Sequence, residues 1–185
     1  MAEQKTDRES ILDAAEALFR EKGYGNTSMA DIGRATGLLK GSVYHYFPGK
    51  EALAAAILER LRDHFRATLF ATAYAEDRSG DERLRAMVDA IEDYFRQSRG
   101  CLMGHLGLEV TGLVPAFAET IREFFGEWQD AFAHVLETGY DPGKARELAA
   151  DRIACIEGAV MWIRIRDDLG PLERASAEVR GLLGE

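Results

Sequence analysis

The fold of this 185-residue chain is decided by the stretch TSMADIGRATGLLKGSVYHYFPGK, residues 27–50. The hydroxyls of Thr27 and Ser28 can cap the start of a short helix, with Asp31 placed to complete a capping box, and Gly37 is suited to end the helix. Its apolar spacing predicts that Met29, Ile32 and Ala35 are buried. A second short helix is predicted over about 40–47. Two short helices joined by a tight turn predict a helix-turn-helix, whose second helix would lie in the major groove of DNA.

The second helix of this motif has an apolar face and a polar one. Val43 and Phe47 are four residues apart, so they are predicted to face the core. Gly41 would allow the backbone to approach a groove closely. The outer faces would then carry side chains that can contact phosphates or base edges, namely Lys40, Ser42, Tyr44, His45 and Tyr46.

The charge of the chain is distributed unevenly. The net charge is −9, yet residues 1–50 hold seven Lys or Arg and seven Asp or Glu, so the whole deficit lies in residues 51–185. Within 27–50 the balance is +2, from Arg34, Lys40 and Lys50 against Asp31. Only this stretch could lie on phosphates without strong repulsion, and the acidic remainder would face away from DNA.

The same stretch resembles the DNA-binding domain of the TetR family of bacterial transcriptional repressors. The resemblance is carried by a first helix that ends in a Gly-aromatic pair, by TSMADI at 27–32 and by GLLKGSVYHYFxxKEAL at 37–53, and it covers roughly residues 8–55. It implies that DNA phosphates or base edges are contacted by Thr27, Lys40, Ser42, Tyr44, His45, Tyr46 and Lys50. Two further candidate contacts come from the residues themselves: Ser28, because a hydroxyl at a helix start can serve either a cap or a phosphate, and Gly41, because its backbone can approach the groove closely.

Two positions depart from the family pattern. Leu39 stands where the family usually has a small or hydroxyl residue that caps the recognition helix, and Gly49 stands where Ser or Asn often begins the next helix. Neither removes a predicted DNA contact, although Leu39 could alter the sequence preference.

Helical periodicity continues through the rest of the chain and predicts an all-α fold of about nine helices. We expect a three-helix DNA-binding domain at 1–48 and a ligand-binding and dimerisation domain at 49–185. The long fourth helix, from about residue 50 into the seventies, would link them. A tilt of this helix could then change the separation of the two recognition helices in a dimer and release the operator.

A second informative stretch, GCLMGHLGLE, occupies residues 100–109. Cys101 is predicted at the start of the sixth helix, where the backbone dipole favours a thiolate, or it fills a small apolar space beside a glycine. His105 and Glu109 are four residues apart and could form a hydrogen-bonded pair, and without a third ligand we expect no metal.

The seventh helix is rich in aromatic residues, which either form core or line a cavity for a small apolar effector. The GCLMGHLGLE pattern is also similar to a subgroup of TetR regulators that respond to small reactive carbonyl or unsaturated compounds, in some of which a cysteine at the position of Cys101 is the sensing thiol. His105 departs from the Asn more usual there. The candidate effector or sensor residues are Cys101, Met103, His105, Leu106, Glu109, Phe117, Phe124, Phe125, Trp128 and Trp162.

The last two helices carry both apolar and small residues, which suits antiparallel packing against the same pair of a second chain. The TetR resemblance implies a homodimer through these helices, and the alternative is that they only close the core of the monomer.

These features predict a DNA-binding transcriptional regulator that acts as a repressor and is released from its operator by a small-molecule effector. Its partners would be double-stranded operator DNA and an unknown small apolar or reactive effector. A redox or electrophile signal through Cys101 is an alternative input. The sequence also allows a helical scaffold that does not bind DNA, or a small enzyme, but we find no nucleophile, base and orienting group at suitable spacing and expect no catalytic site and no cofactor. The start of the chain lacks an apolar signal segment and no apolar run reaches about 20 residues, so we expect a cytoplasmic protein that does not cross a membrane.

Overall fold

A computed structural model describes residues 7–110 and 114–184. Throughout these residues the regular secondary structure is helical, which confirms the predicted all-α fold. One short 3₁₀ helix, Phe70–Tyr74, follows the fourth α-helix. The nine α-helices of the described ranges are α1 (Asp7–Lys22), α2 (Met29–Thr36), α3 (Lys40–Tyr46), α4 (Lys50–Thr68), α5 (Gly80–Ser98), α6 (Leu102–Val110), α7 (Pro115–Leu136), α8 (Pro142–Arg166) and α9 (Gly170–Arg180).

Several helix starts follow from local capping chemistry. Ser28 caps α2 and Ser79 caps α5, each in a reciprocal capping box with the acidic residue three positions later. Asp141 caps α8, and its Oδ1 accepts a hydrogen bond from the backbone N–H of Lys144 at 3.1 Å. The predicted capping box at the start of α2 is therefore confirmed.

The described residues form two compact units. The first consists of the residues up to Leu61 together with Leu102–Ile121, and the second consists of Arg62–Cys101 together with the residues from Arg122 onwards. The helix α4 thus contributes to both units, and α6 belongs to the unit that carries the helix-turn-helix. The predicted functional division at 48/49 does not coincide with this structural one and stays a prediction.

The core of the first unit is built from the apolar faces of α1 to α4. Ile11, Phe19, Ile32, Val43 and Leu53 are 0% exposed. In the same unit, the Arg60 guanidinium of α4 forms ion pairs with the carboxylates of Asp13 and Glu16 of α1, at 2.7 and 2.5 Å.

The core of the second unit is aromatic. Phe65 of α4 packs edge-on against Tyr94 and Phe124, with ring centroids 4.7 and 5.1 Å apart. Trp128 and Phe132 continue this cluster along α7 and are 0% exposed. Around the cluster, α9 packs on α5 and α8.

Two details differ from the sequence-based prediction. Ala35 was expected in the core and is exposed, because α2 turns Met29, Ile32 and Gly33 inward instead. The fourth helix was expected to run into the seventies, but its α-helical part ends at Thr68 and a 3₁₀ turn follows.

No described helix is long and apolar enough to span a membrane.

Candidate nucleic-acid interface and regulatory core

The helix α3 is divided into a buried and an exposed face, as predicted. Val43 is 0% exposed and Phe47, directly after the helix, is 4% exposed, whereas Tyr44 and Tyr46 are 42% and 39% exposed. His45 is exposed as well, and its ring packs edge-on against that of Tyr46 at 5.3 Å.

The remaining predicted contacts of α3 lie at its first turn. Gly41 is exposed, and a Cβ placed on it would meet no atom within 4 Å, so a groove could approach this backbone closely. Ser42 is half-buried, and Lys40 is the first residue of the helix, with a side chain outside the described part of the structure. The arrangement presents hydroxyl, imidazole and phenol groups on one short helix, which suits contacts to phosphates and base edges.

The two hydroxyl residues before α2 have different roles. Ser28 is exposed, and its Oγ accepts from the Asp31 N–H at 3.2 Å while Asp31 Oδ2 accepts from Ser28 N at 2.9 Å. The Ser28 hydroxyl also donates to Asp31 Oδ2 at 2.5 Å, and this bond, together with that from the Ser28 N–H, holds the pKa of Asp31 below its usual value. Thr27 is 1% exposed, and its hydroxyl donates to the carbonyl oxygen of Gly23 at 2.8 Å. We therefore assign the Thr27 hydroxyl to the turn before α2 and leave it out of the proposed DNA contacts.

The turn after α1 is held by a carboxylate that is distant in sequence. Gly23 has a φ of +83°, a conformation that favours glycine. Glu109 of α6 accepts from the backbone N–H of Tyr24 at 3.0 Å and from that of Gly25 at 2.6 Å. A Cβ on Gly25 would lie 3.0 Å from Glu109 Oε1, so glycine permits this close approach.

The predicted DNA contact Lys50 also acts on this turn. Its Nζ donates to the Tyr24 carbonyl oxygen at 2.7 Å and lies 4.2 Å from the centre of the Tyr24 ring. Burial, together with the charges of Glu51 and Glu109, raises the pKa of the Tyr24 phenol. The peptide groups of Tyr24 are thus bound by an anion from α6 and a cation from α4.

The predicted effector residues are divided between the two units. Met103, Leu106 and Phe117 are buried in the first unit, where His105 is half-buried. Phe117 packs edge-on against Tyr24, with ring centroids 5.7 Å apart. Glu109 was a predicted effector residue, but its observed contacts are to the backbone of the turn after α1, which is a structural role.

In the second unit, the predicted aromatic residues Phe124, Phe125 and Trp128 do lie together. The ring of Trp128 stacks on Phe125 and packs against Phe124, each at 6.1 Å. The buried Nε1 of Trp128 has no hydrogen-bond acceptor among the described residues. A fully buried indole N–H usually has a partner, so this donor suits an acceptor on a bound molecule.

Cys101 lies directly before α6 and is 8% exposed. Its thiol hydrogen-bonds the carboxyl group of Glu157 on α8, and burial raises the pKa of Glu157 to about 7. The Oε1 atom of Glu157 is buried and accepts no hydrogen bond in the described structure.

Glu157 is a candidate effector-site residue that the sequence-based prediction missed. A signal was available, because Glu157 carries the sole charge of the apolar run IACIEGAVMWI at 153–163.

Trp162, the last predicted effector residue, is 43% exposed on α8, with the Arg166 guanidinium over its ring at 5.9 Å. It lies beside Met161 and Ile165, which are 55% and 64% exposed. Trp162 therefore belongs to an exposed apolar face and not to a buried site.

We searched the described part of the chain for side chains that could hold a metal ion. No three His, Cys, Asp or Glu side chains come together there in a group able to hold an ion.

Family models match both parts of the chain. A model described as bacterial regulatory proteins of the tetR family matches residues 11–57. A second model, described as the C-terminal domain of LmrA/YxaF-like transcriptional regulators, matches residues 81–178.

Solved structures and curated relatives agree with these matches. A TetR transcriptional regulator from Legionella pneumophila is 29% identical, with a TM-score of 0.86 and 97% of both chains covered. One from Chloroflexus aurantiacus is 30% identical over 97% of this chain and 94% of that chain, with a TM-score of 0.82. The HTH-type transcriptional repressor DhaR of Mycobacterium sp. (strain GP1) is 26% identical over 90% of this chain and 87% of its own length.

Proposed function

Because this chain belongs to the TetR family and is a DNA-binding transcriptional regulator, we propose that it is a repressor released from its operator by a small effector molecule. The observation that carries the proposal is the division of α3 into a buried face at Val43 and an exposed face of hydroxyl, imidazole and phenol groups. We assign DNA binding to residues 1–48, and effector binding and dimerisation to residues 49–185.

The proposed DNA contacts lie at the start of α2 and along α3. The helix α3 would enter the major groove with its first turn at the base edges, while the start of α2 meets the phosphate backbone. Lys50 supports this surface by positioning the turn after α1 through Tyr24. The proposed contacts are Ser28, Lys40, Gly41, Ser42, Tyr44, His45 and Tyr46.

Binding-site selection from a randomised DNA library tests the DNA-binding assignment. The selected duplex should bind the wild-type protein in a salt-sensitive way, and Tyr46→Ala should weaken binding by about tenfold or more. Tyr74→Ala is the matched control, since Tyr74 is a 52% exposed tyrosine outside the helix-turn-helix. Equal affinity of the two variants would contradict the assignment.

The effector is proposed to enter the second unit as a small, largely apolar molecule. Support comes from the buried aromatic cluster around Trp128 and from two buried polar atoms without partners among the described residues, Trp128 Nε1 and Glu157 Oε1. A molecule with one hydrogen-bond acceptor and one donor would suit these two atoms. An anionic effector would be disfavoured beside the Glu157 carboxyl.

A thiol-based input through Cys101 is the alternative, and the geometry favours it less. A thiolate forms most easily in an exposed, electropositive site, whereas Cys101 is 8% exposed and hydrogen-bonds a carboxyl group. Operator release is measured with N-ethylmaleimide, a thiol-directed electrophile, in a Cys155→Ser background that removes the exposed second thiol. Release that is lost when Cys101→Ser is added would support the thiol input, and absence of release with Cys101 present would support a noncovalent effector.

Coupling between input and output is proposed to use the turn after α1. Glu109 of α6 and Lys50 of α4 both bind backbone atoms of Tyr24 in the unit that carries α3. A shift of either helix would therefore reach the DNA-binding helices through one residue. In a dimer, such a shift would change the separation of the two recognition helices and lower operator affinity.

The dimer is proposed to form through α8 and α9. The positions 154, 158, 161 and 165 share one face of α8, and the residues at 154, 161 and 165 are exposed. A Cβ on Gly158 would meet no atom within 4 Å, so a partner helix could approach closely there. Exposed Met161 and Ile165 would be buried by that partner.

A further inference from the structure

Leu39 occupies an unusual position at the start of α3. It is 82% exposed and is the N-cap residue, with φ −64° and ψ 145°. Its carbonyl oxygen accepts from the N–H groups of Ser42 and Val43 at 2.9 and 3.3 Å, but its side chain makes no capping hydrogen bond. Ser28, the cap of α2, does make one. Leucine at position 39 thus supplies neither a cap nor a buried side chain.

The surroundings of Leu39 combine an open groove with an exposed cation. Leu39 forms part of the wall of an open groove of about 400 Å³ between α2 and the turn that leads into α3. Arg34, which is 72% exposed and paired with Asp31, lines the same groove. An exposed apolar side chain and an exposed guanidinium therefore share one surface beside the recognition helix.

This pairing matches one feature of the DNA major groove. The residues at the start of a recognition helix contact base edges. Among the groups that base pairs present in the major groove, the C5-methyl of thymine is the apolar one, and leucine can pack against it. A thymine methyl lies near the phosphates of its own strand, which suits a neighbouring cation. Single exposed leucines are common on protein surfaces. Leu39 differs from most of them because it stands at a helix start, lacks a capping side chain and lies beside a cation.

We propose that Leu39 packs against the C5-methyl group of one thymine in each operator half-site and thereby selects thymine at that position. This inference rests on the proposed role of α3 in DNA binding, and it adds a specificity determinant to that role.

Uracil substitution tests the inference, because it removes a single methyl group and leaves base pairing intact. Starting from the duplex selected by the wild-type protein, each thymine of one half-site is replaced in turn by uracil and the dissociation constant is measured. We expect one position at which uracil weakens wild-type binding about fourfold, the factor expected for one buried methyl group. With Leu39→Ala the uracil effect at that position should disappear, while the effects at other thymines remain.

Two further variants exclude trivial explanations. Leu39→Ser should lose the same uracil effect while its hydroxyl caps α3, so a loss of helix stability would not account for the result. Leu108→Ala is the matched control, since Leu108 is a 90% exposed leucine on α6, and it should keep the wild-type uracil profile.

The outcomes separate this inference from the proposed function. If the selected duplex binds tightly but no uracil position responds to Leu39→Ala, the inference is overturned and the DNA-binding role stands. If the selection enriches no duplex, both are overturned.

Discussion

At the scale of single residues, Tyr24 joins two helices that lie far apart in the sequence. Its N–H donates to Glu109 and its carbonyl oxygen accepts from Lys50. Opposite charges thus act on the two ends of one residue, in a turn that begins with the left-handed Gly23. This turn is followed directly by α2, which Ser28 caps.

Glu109→Ala should destabilise the turn. Two charge-assisted hydrogen bonds at an exposed site contribute roughly 1–2 kcal/mol to the free energy of unfolding, which corresponds to a fall in Tm of about 2–8 °C for a chain of this size. Thermal unfolding followed by circular dichroism measures the change. Glu119→Ala, which removes a carboxylate in the same unit, is the control. Equal melting temperatures for the two variants would show that the Glu109 contacts contribute nothing.

Glu157 should make stability depend on pH. Its pKa is raised from 4.5 to about 7 in the folded protein, so folding favours the protonated acid. Stability from this group is complete below pH 4.5 and is lost as the pH rises towards 7, by about 3 kcal/mol in all. Glu157→Gln should match the wild type near pH 4.5 and exceed it in stability near pH 8. Denaturant unfolding at both values measures this difference, and a constant offset between the two proteins would contradict the raised pKa.

At the scale of helices, α8 exposes large apolar side chains, Met161, Trp162 and Ile165, that a partner helix could bury. Ile165→Glu would place a charge in the proposed dimer interface and should convert a dimer to a monomer at micromolar concentration, because an unpaired charge is costly to bury. Sedimentation velocity measures the assembly state. Gln97→Glu adds the same charge at an exposed position of α5 and should leave the dimer intact. A dimeric Ile165→Glu variant would place the interface elsewhere.

The helices themselves were largely predictable from the sequence, and the contacts between them were not. Apolar periodicity indicates which face of each helix is buried, and it identified Val43 and Phe47 correctly. It failed for Ala35, because the small Gly33 takes the inward position on a helix of only eight residues. The Glu109 contact to Tyr24 joins residues 85 positions apart, and a periodic pattern holds no information about such a pair.

The candidate site was predicted to a similar extent. The exposed residues of α3 followed from the pattern, whereas the inward hydroxyl of Thr27 and the cation–π contact of Lys50 depend on the packed turn. Glu157 could have been suspected from its apolar surroundings, but its hydrogen bond to Cys101 required the fold.

At the scale of the whole molecule, charge separation sets the conditions for DNA binding. The net charge of −9 lies outside residues 1–50 and residues 27–50 carry +2, so we expect the electrostatic attraction to DNA to act mainly at the helix-turn-helix. If a dimer makes at least four phosphate contacts, affinity for the selected duplex should fall roughly a hundredfold between 50 and 200 mM salt. Fluorescence anisotropy across this range measures the slope, and an affinity independent of salt would contradict binding through phosphates.

The two cysteines of the chain differ sharply in access to solvent, since Cys101 is buried and Cys155 on α8 is exposed. A maleimide spin label should therefore attach at one site without any cysteine being engineered. Cys155 lies one turn before Gly158 on α8, so a pair of labels in a dimer would report the distance between the two α8 helices directly. The label-to-label distance would therefore show how operator and effector change the spacing of the two α8 helices in the native protein.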